Sequence, residues 1–344
     1  MFKVKLTQLN ALLDALAASY PVFAPIVEAG EANYGEYKAG AEVNLFKQTV
    51  KSAKDAFFPQ SQDLMKFRTE GKKIDIIDLR RDIAPFVIFG VRACDVKSFE
   101  ILDRVFLSEP VDTFYKARRE KGVIVSLACA KPEESCFCTN FGIDATAPKG
   151  DVTTYTEGEY LYWIPNTDKG EQLTEAAANV LESADKADEK AVEEQKKRVG
   201  EVLRRLPNGD LDLSEFKPEK LNELFNDPDW DELSQSCLGC GSCTFVCPTC
   251  QCYDIRDFKT NDGVKRFRCW DSCMYTDFTK MAAVNSRNFQ LQRFRQRFMH
   301  KLVYYPSNND GICMCVGCGR CVKKCPISMN IVKVIKKVGG KKHD

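Results

Sequence analysis

Apolar positions recur along this chain with several distinct periods, and each period predicts an element. Residues 2–19 place Leu9, Leu12, Leu13 and Leu16 among polar neighbours at helical spacing, which predicts an amphipathic helix. Ala84 to Val91 (APFVIFGV) and Gly122 to Ala128 (GVIVSLA) are short, rich in β-branched residues and bounded by turn formers, so both read as buried strands. Between them, Val96, Phe99, Leu102 and Phe106 lie on one helical face, predicting a helix over Asp95 to Leu107. Strand, helix, strand implies an α/β domain with a small sheet, to which Tyr160 to Ile164 adds a further strand. The character then changes. Leu173 to Leu206 is rich in Ala, Glu and Lys and predicts one long solvated helix, followed by a polar, Pro-containing stretch from Pro207 to Asp229.

The expected fold class is α+β in three parts. Residues 1–167 form an α/β domain, 168–230 a helical, charged connector, and 231–344 an α-helix-rich C-terminal domain. The connector's charge run serves solubility and spacing, or alternatively partner docking. Phe289 to Leu302 is a basic helix with Leu291, Phe294, Phe298 and Leu302 on one face and Arg293, Arg295, Arg297 and Lys301 on the rest. Two readings stay open for it: a core helix with a solvated face, or a helix balancing nearby negative charge or docking an acidic partner.

Charge narrows the function classes. Lys and Arg number 50 against 49 Asp and Glu, a net +1, so nothing favours nucleic acid or an anionic membrane surface. The longest apolar run, Pro85 to Val91, is too short to span a bilayer, and the N-terminal segment lacks the unbroken apolar stretch of an export signal. A cytoplasmic protein without a membrane span is expected. No Gly-rich dinucleotide fingerprint follows a strand, and no phosphate-binding loop or Ser/His/Asp set stands out.

Cysteine is the outlier, with 17 residues against two histidines. A long chain in a reducing compartment has little use for a disulfide framework, and so few imidazoles disfavour mixed Cys/His zinc sites. Metal bound by thiolate is the leading reading. Two segments share one spacing: CLGCGSCTFVCP, with Cys237, Cys240, Cys243 and Cys247 before Pro248, and CVGCGRCVKKCP, with Cys315, Cys318, Cys321 and Cys325 before Pro326. Each is the C-x2-C-x2-C-x3-C-P run of bacterial two-cluster ferredoxins, in which the fourth Cys ligates the other cluster. One [4Fe-4S] cluster is therefore expected on Cys237, Cys240, Cys243 and Cys325, and a second on Cys315, Cys318, Cys321 and Cys247. Gly239, Gly241, Gly317 and Gly319 fit loops that pass close to inorganic sulfide in unusual backbone conformations.

Cys250, Cys252, Cys269 and Cys273 are enough for a third cluster, with structural thiols or zinc as the alternative. Cys94 and Cys129 end the two predicted strands, Cys136 and Cys138 follow, and strand-end positions of neighbouring strands converge at one sheet edge. A fourth cluster there competes with buried structural cysteines. Four sets of four use all but one of the 17 thiols and leave Cys313. The leading reading is a non-catalytic electron carrier. A redox enzyme with flavin or substrate at the strand end Gly90 to Asp95, and a zinc-bound scaffold, are the alternatives.

Taken in order, FGVRACDVKSFEILDRVFL, CFCTNFG, CPTCQCYDI and CVGCGRCVKKCP resemble the series found in the A subunit of anaerobic sulfite reductase and the iron–sulfur β subunits of soluble sulfhydrogenases. Related proteins accompany heterodisulfide-reductase-like flavoenzymes. The resemblance runs from about Tyr20 to Ile331 and is weakest between Asp168 and Glu232. It implies a hetero-oligomeric redox complex of anaerobes, in which a separate flavin subunit oxidises NADH or NADPH and this chain passes electrons to a catalytic subunit. By position, the ferredoxin-type cysteines match, as do Cys250, Cys252, Cys273 and the set Cys94, Cys129, Cys136 and Cys138. Ala93 stands where relatives often have Pro, and Cys313 has no assigned role.

Overall fold

The computed structural model describes residues 1–340, so the last four positions of the predicted C-terminal domain, 341–344, lie outside the described residues. The chain opens with a strand, β1 (Phe2–Lys5), ahead of helix α1 (Leu9–Ala17). The expected helix is thus shorter than 2–19, and its four leucines are all buried. Next come β2 (Val22–Glu28), β3 (Glu31–Glu36), β4 (Ser61–Glu70), β5 (Lys73–Asp78) and β6 (Phe86–Arg92). Helices α2 (Ala93–Phe106) and α3 (Thr113–Lys121) lead into β7 (Gly122–Leu127), β8 (Val152–Glu157) and β9 (Tyr160–Pro165).

The segment expected as one helix over Leu173 to Leu206 is two, α4 (Asp168–Ala176) and α5 (Lys186–Arg204), with the short strand β10 (Glu182–Ser183) between them. The break has a local cause: Asp185 caps α5 through its Ala187 and Asp188 amides and completes a capping box with Asp188. The first half of the predicted connector is packed on the sheet rather than solvated all round. Asp188 accepts from Lys3 at 2.7 Å and from Tyr162 at 3.1 Å, and Gln195 donates to the Thr156 carbonyl at 2.6 Å.

The first sheet has eight strands in the order β10-β1-β9-β8-β7-β6-β2-β3, larger than the small sheet expected. The contacts β2/β6, β6/β7 and β7/β8 are parallel and the outer pairs antiparallel. Every residue of β6 and β7 is buried, as expected for parallel strands covered on both faces. Alternation places Val87 and Phe89 in the core under α1 and Phe86 and Ile88 in the core under α2, and a register shift between Phe89 and Val91 turns Val91 to the α2 side as well.

The remaining helices are α6 (Leu221–Asn226), α7 (Asp229–Gln235) and α8 (Ser242–Phe245), followed by β11 (Tyr253–Thr260) and β12 (Gly263–Trp270). Then come α9 (Gln290–Met299), a π-helical turn over His300–Tyr304, α10 (Tyr305–Ser307), α11 (Arg320–Lys323) and α12 (Ile331–Val338). A second sheet, β11-β12-β4-β5, joins two hairpins that are remote in sequence. It ties the two halves together at its base, where Trp270 donates to the Phe58 carbonyl at 3.1 Å and the buried Arg268 pairs with Asp112. The fold is mixed α/β. Among the described residues, no helix is long and apolar enough to cross a membrane.

Candidate metal centres

The two repeated cysteine motifs fold alike. In each, a left-handed glycine (Gly241, φ 74°; Gly319, φ 76°) starts a one-turn helix, α8 or α11. In each, a backbone amide two residues on points at the first thiol, Gly239 N–H to Cys237 Sγ and Gly317 N–H to Cys315 Sγ, both at 3.4 Å. Because α8 and α11 carry the chain away, the fourth cysteine leaves its own loop. Cys325 lines a hollow with Cys237, Cys240 and Cys243, in the crossed arrangement expected from the spacing. Cys247 is in turn a charge neighbour of Cys315, Cys318 and Cys321.

The N-terminal thiols gather where the sheet topology directs them. Strands β6 and β7 are parallel neighbours, so Cys94, in the first turn of α2, and Cys129, just past β7, share one end of the sheet. Cys136 and Cys138 join them, and all four are buried. Their thiols lie against the second motif. Cys138 feels Cys136, Cys129 and Cys318, and Cys94 feels Cys318 and Cys138. The junction is tight: Phe137 N–H donates to the Gly317 carbonyl at 2.8 Å, and Gln48 donates to the Cys318 carbonyl at 2.7 Å. A Cβ at Gly317 would meet the Phe137 carbonyl oxygen at 2.4 Å, and one at Gly319 the Ser135 oxygen at 2.3 Å. Glycine here serves close approach between loops as well as turning.

The third set is gathered in part. The Cys247 thiol is held well below its usual range by a hydrogen bond from Cys250, and Cys252 is lowered by one from Cys273, despite burial opposing both. Cys269 is not brought to them. It sits on β12 opposite Asp254 and Ser61, and its charged neighbours are Arg256, Asp254 and Asp271. Strand alternation is the reason, since the adjacent Arg268 and Trp270 take the buried face. Cys313 lies two residues before Cys315 beside a surface cleft with Phe141 and Leu213, and burial alone raises its thiol to about 11.

Basic side chains converge on these thiols. Lys301 donates to Cys247 Sγ at 3.3 Å and to Thr249 Oγ1 at 3.0 Å. Lys54, lowered to about 8 by burial, donates to the Cys250 carbonyl at 2.8 Å and covers the Trp270 ring at 3.6 Å. Arg92 reaches Cys129 Sγ at 3.7 Å. The basic helix therefore faces the thiols with Arg297 and Lys301, both buried, while Arg293 and Arg295 bond to backbone carbonyls at its flanks. Of its two open readings, charge balance is the one the packing supports.

The donor sets fit a body larger than one ion. Among the described residues, no three His, Cys, Asp or Glu side chains stand close enough to hold a single metal ion. Cys237, Cys240, Cys243 and Cys325 instead ring one shared hollow, four thiols being the donor number of one cube. Burial raises Cys136 to about 11, Cys138 to about 12 and Cys321 to about 12, so without metal these thiols keep their protons at neutral pH. Loading releases those protons, and iron binding weakens as pH falls. Cys240 is exposed and every other candidate ligand is buried or half-buried. In air, the centre of the Cys237 motif is expected to be lost before that of the Cys315 motif, checked by following each EPR signal over time.

Comparisons with known proteins agree with this arrangement. Residues 236–329 match a family described as "4Fe-4S dicluster domain". Over 321 residues, covering 92% of this chain and 92% of the relative, the sequence is 30% identical to the protein named "Sulfhydrogenase 2 subunit beta" of Pyrococcus furiosus. The likeness thus extends across both halves of the fold and both groups of thiols, and the chain belongs to the sulfhydrogenase β-subunit family of 4Fe-4S dicluster proteins.

Proposed function

We propose that this chain is the iron–sulfur relay subunit of a hetero-oligomeric oxidoreductase. It takes electrons from a flavin-bearing, NAD(P)H-oxidising partner. It delivers them to a catalytic partner of the sulfite reductase, hydrogenase or heterodisulfide-reductase-like kind. The observation that carries this reading is the adjacency of the thiol sets. Cys318 of the second motif neighbours Cys94 and Cys138, Cys247 neighbours Cys250, and Cys321 neighbours Cys243. The Cys315 set thus lies at the middle of the group, with the other three sets around it.

Cys237, Cys240, Cys243 and Cys325 would hold one [4Fe-4S] cluster, and Cys315, Cys318, Cys321 and Cys247 another. Cys94, Cys129, Cys136 and Cys138 would hold a further one, and Cys250, Cys252 and Cys273 contribute to the remaining site. When bound, each cluster supplies reversible one-electron chemistry. The chain's residues do the rest: they bury the thiolates, keep water from most of them and set cations beside them. The end of β6 and β7, where a flavin or substrate would sit in an enzyme of this class, is covered by the second motif, with Arg320 bonded to Asp95 at 2.7 Å. That packing favours the relay over a substrate site in the N-terminal half.

The test is the purified chain by itself. It is expected to contain iron and acid-labile sulfide, to lack flavin, and to show no turnover with NADH or NADPH until a flavin subunit is added. Stoichiometric flavin in the isolated chain would overturn the assignment.

A further inference from the structure

We propose that Arg297 and Lys301 are positioning residues that raise the reduction potentials of the two ferredoxin-type centres, Arg297 acting on both and Lys301 on the Cys315 centre but not the Cys237 centre. The inference rests on the relay reading above and adds to it which side chains tune which site.

The two cations lie four residues apart, on either side of the junction where α9 passes into its π-helical turn, and each is 4% exposed. Neither has a carboxylate partner among the described residues. Arg297 lines the hollow of Cys237, Cys240, Cys243 and Cys325, its Nε has no hydrogen-bond partner among the described residues, and its guanidinium lies 4.5 Å from the centre of the Phe298 ring. Burial opposes its charge. The groups that overcome this are thiolates, first Cys243 of one motif and Cys321 of the other, then Cys250 and Cys247. Lys301 touches Cys247 at 3.3 Å, and Cys247, Cys250 and Cys315 are the groups that favour its charge.

The contrast with Arg320 is instructive. That guanidinium is also buried beside thiols, but both its terminal nitrogens are bonded to Asp95 at 2.7 Å, so its charge is largely spent on the carboxylate. Arg297 and Lys301 keep theirs for the thiol sites. Reduction adds a negative charge, and a fixed cation in a dry surrounding favours the reduced state. Arginine does not deprotonate in the working range, so its effect does not vary with pH near neutrality.

The experiment uses the full chain, reconstituted anaerobically with iron and sulfide, in EPR-monitored redox titrations of Arg297→Gln, Arg297→Lys and Lys301→Met. Arg297→Gln is expected to lower both ferredoxin-type midpoints by at least tenfold in the reduction equilibrium, about 59 mV for one electron. Arg297→Lys is expected to restore most of that shift. Lys301→Met is expected to lower the Cys315 centre and leave the Cys237 centre unchanged. Unchanged midpoints in an Arg297→Gln protein with wild-type iron and sulfide overturn the proposal. If that variant fails to hold iron, the wild-type protein labelled with 15N-arginine decides. Pulsed EPR of its reduced form is expected to show arginine nitrogen coupling at the Cys237 centre, whose hollow is lined by Arg297 and no other arginine among the described residues, and no coupling there overturns the proposal. Absence of iron and sulfide from the wild-type chain would instead be a failure of the relay reading itself.

Discussion

Cys325→Ala is expected to remove the centre ringed by Cys237, Cys240 and Cys243 while sparing that of Cys315, Cys318 and Cys321. Cys247→Ala is expected to do the reverse. The reason is local. The one-turn helix inside each motif, α8 or α11, turns the chain before its fourth cysteine, and Cys325 thereby enters the hollow of the first motif. The same turn places Cys247 among the second motif's thiols, where Lys301 at 3.3 Å and Thr249 at 3.3 Å hold its sulfur. Each variant is expected to lose about four iron atoms per chain, the content of one cube. Iron analysis with EPR that resolves the two centres reads the outcome. Loss of the Cys237 centre alone from Cys247→Ala would contradict crossed ligation.

The second large effect concerns the seam between the two halves. Asp95 opens α2 beside Cys94, and Arg320 opens α11 beside Cys318 and Cys321. Their side chains are each 1% exposed and form a two-point ion pair. Arg320 also bonds the Thr49 carbonyl and hydroxyl, both at 3.0 Å. Asp95→Ala leaves that guanidinium buried without its counter-charge, which typically costs about 3–5 kcal/mol. Denaturant unfolding of the loaded protein should show it as an earlier loss of absorbance. The double variant Asp95→Leu/Arg320→Met removes both charges and is expected to recover much of the loss. A single variant as stable as the wild type would show that other contacts hold the seam.

Chemistry was more legible in the sequence than architecture. Ligand spacing in a cluster loop is local, so the eight motif cysteines and four glycines stand out, and those glycines do take left-handed φ values between 57° and 76°. The buried strands β6 and β7 and the face of α2 were equally readable, because their apolar patterns are continuous. The second sheet was not. Its strands pair segments about two hundred residues apart and leave Ile74, Ile76, Ile255 and Phe258 exposed, so no unbroken apolar run marks them. Cys269 was grouped with Cys273 on nearness along the chain, whereas the register of β12 sets it across from Asp254. The role of α9 stayed open for a related reason. A helical wheel gives Arg297 and Lys301 polar positions, and only the tertiary packing shows that those positions face thiols rather than water.

The account rests on thiolates gripping iron–sulfur cubes, and one measurement reaches that point most directly. Chain isolated without air should contain iron and acid-labile sulfide in equal amounts, at least about eight of each for the two motifs alone. It should bleach on reduction. Colourless protein with neither iron nor labile sulfide, even after anaerobic reconstitution, would contradict it.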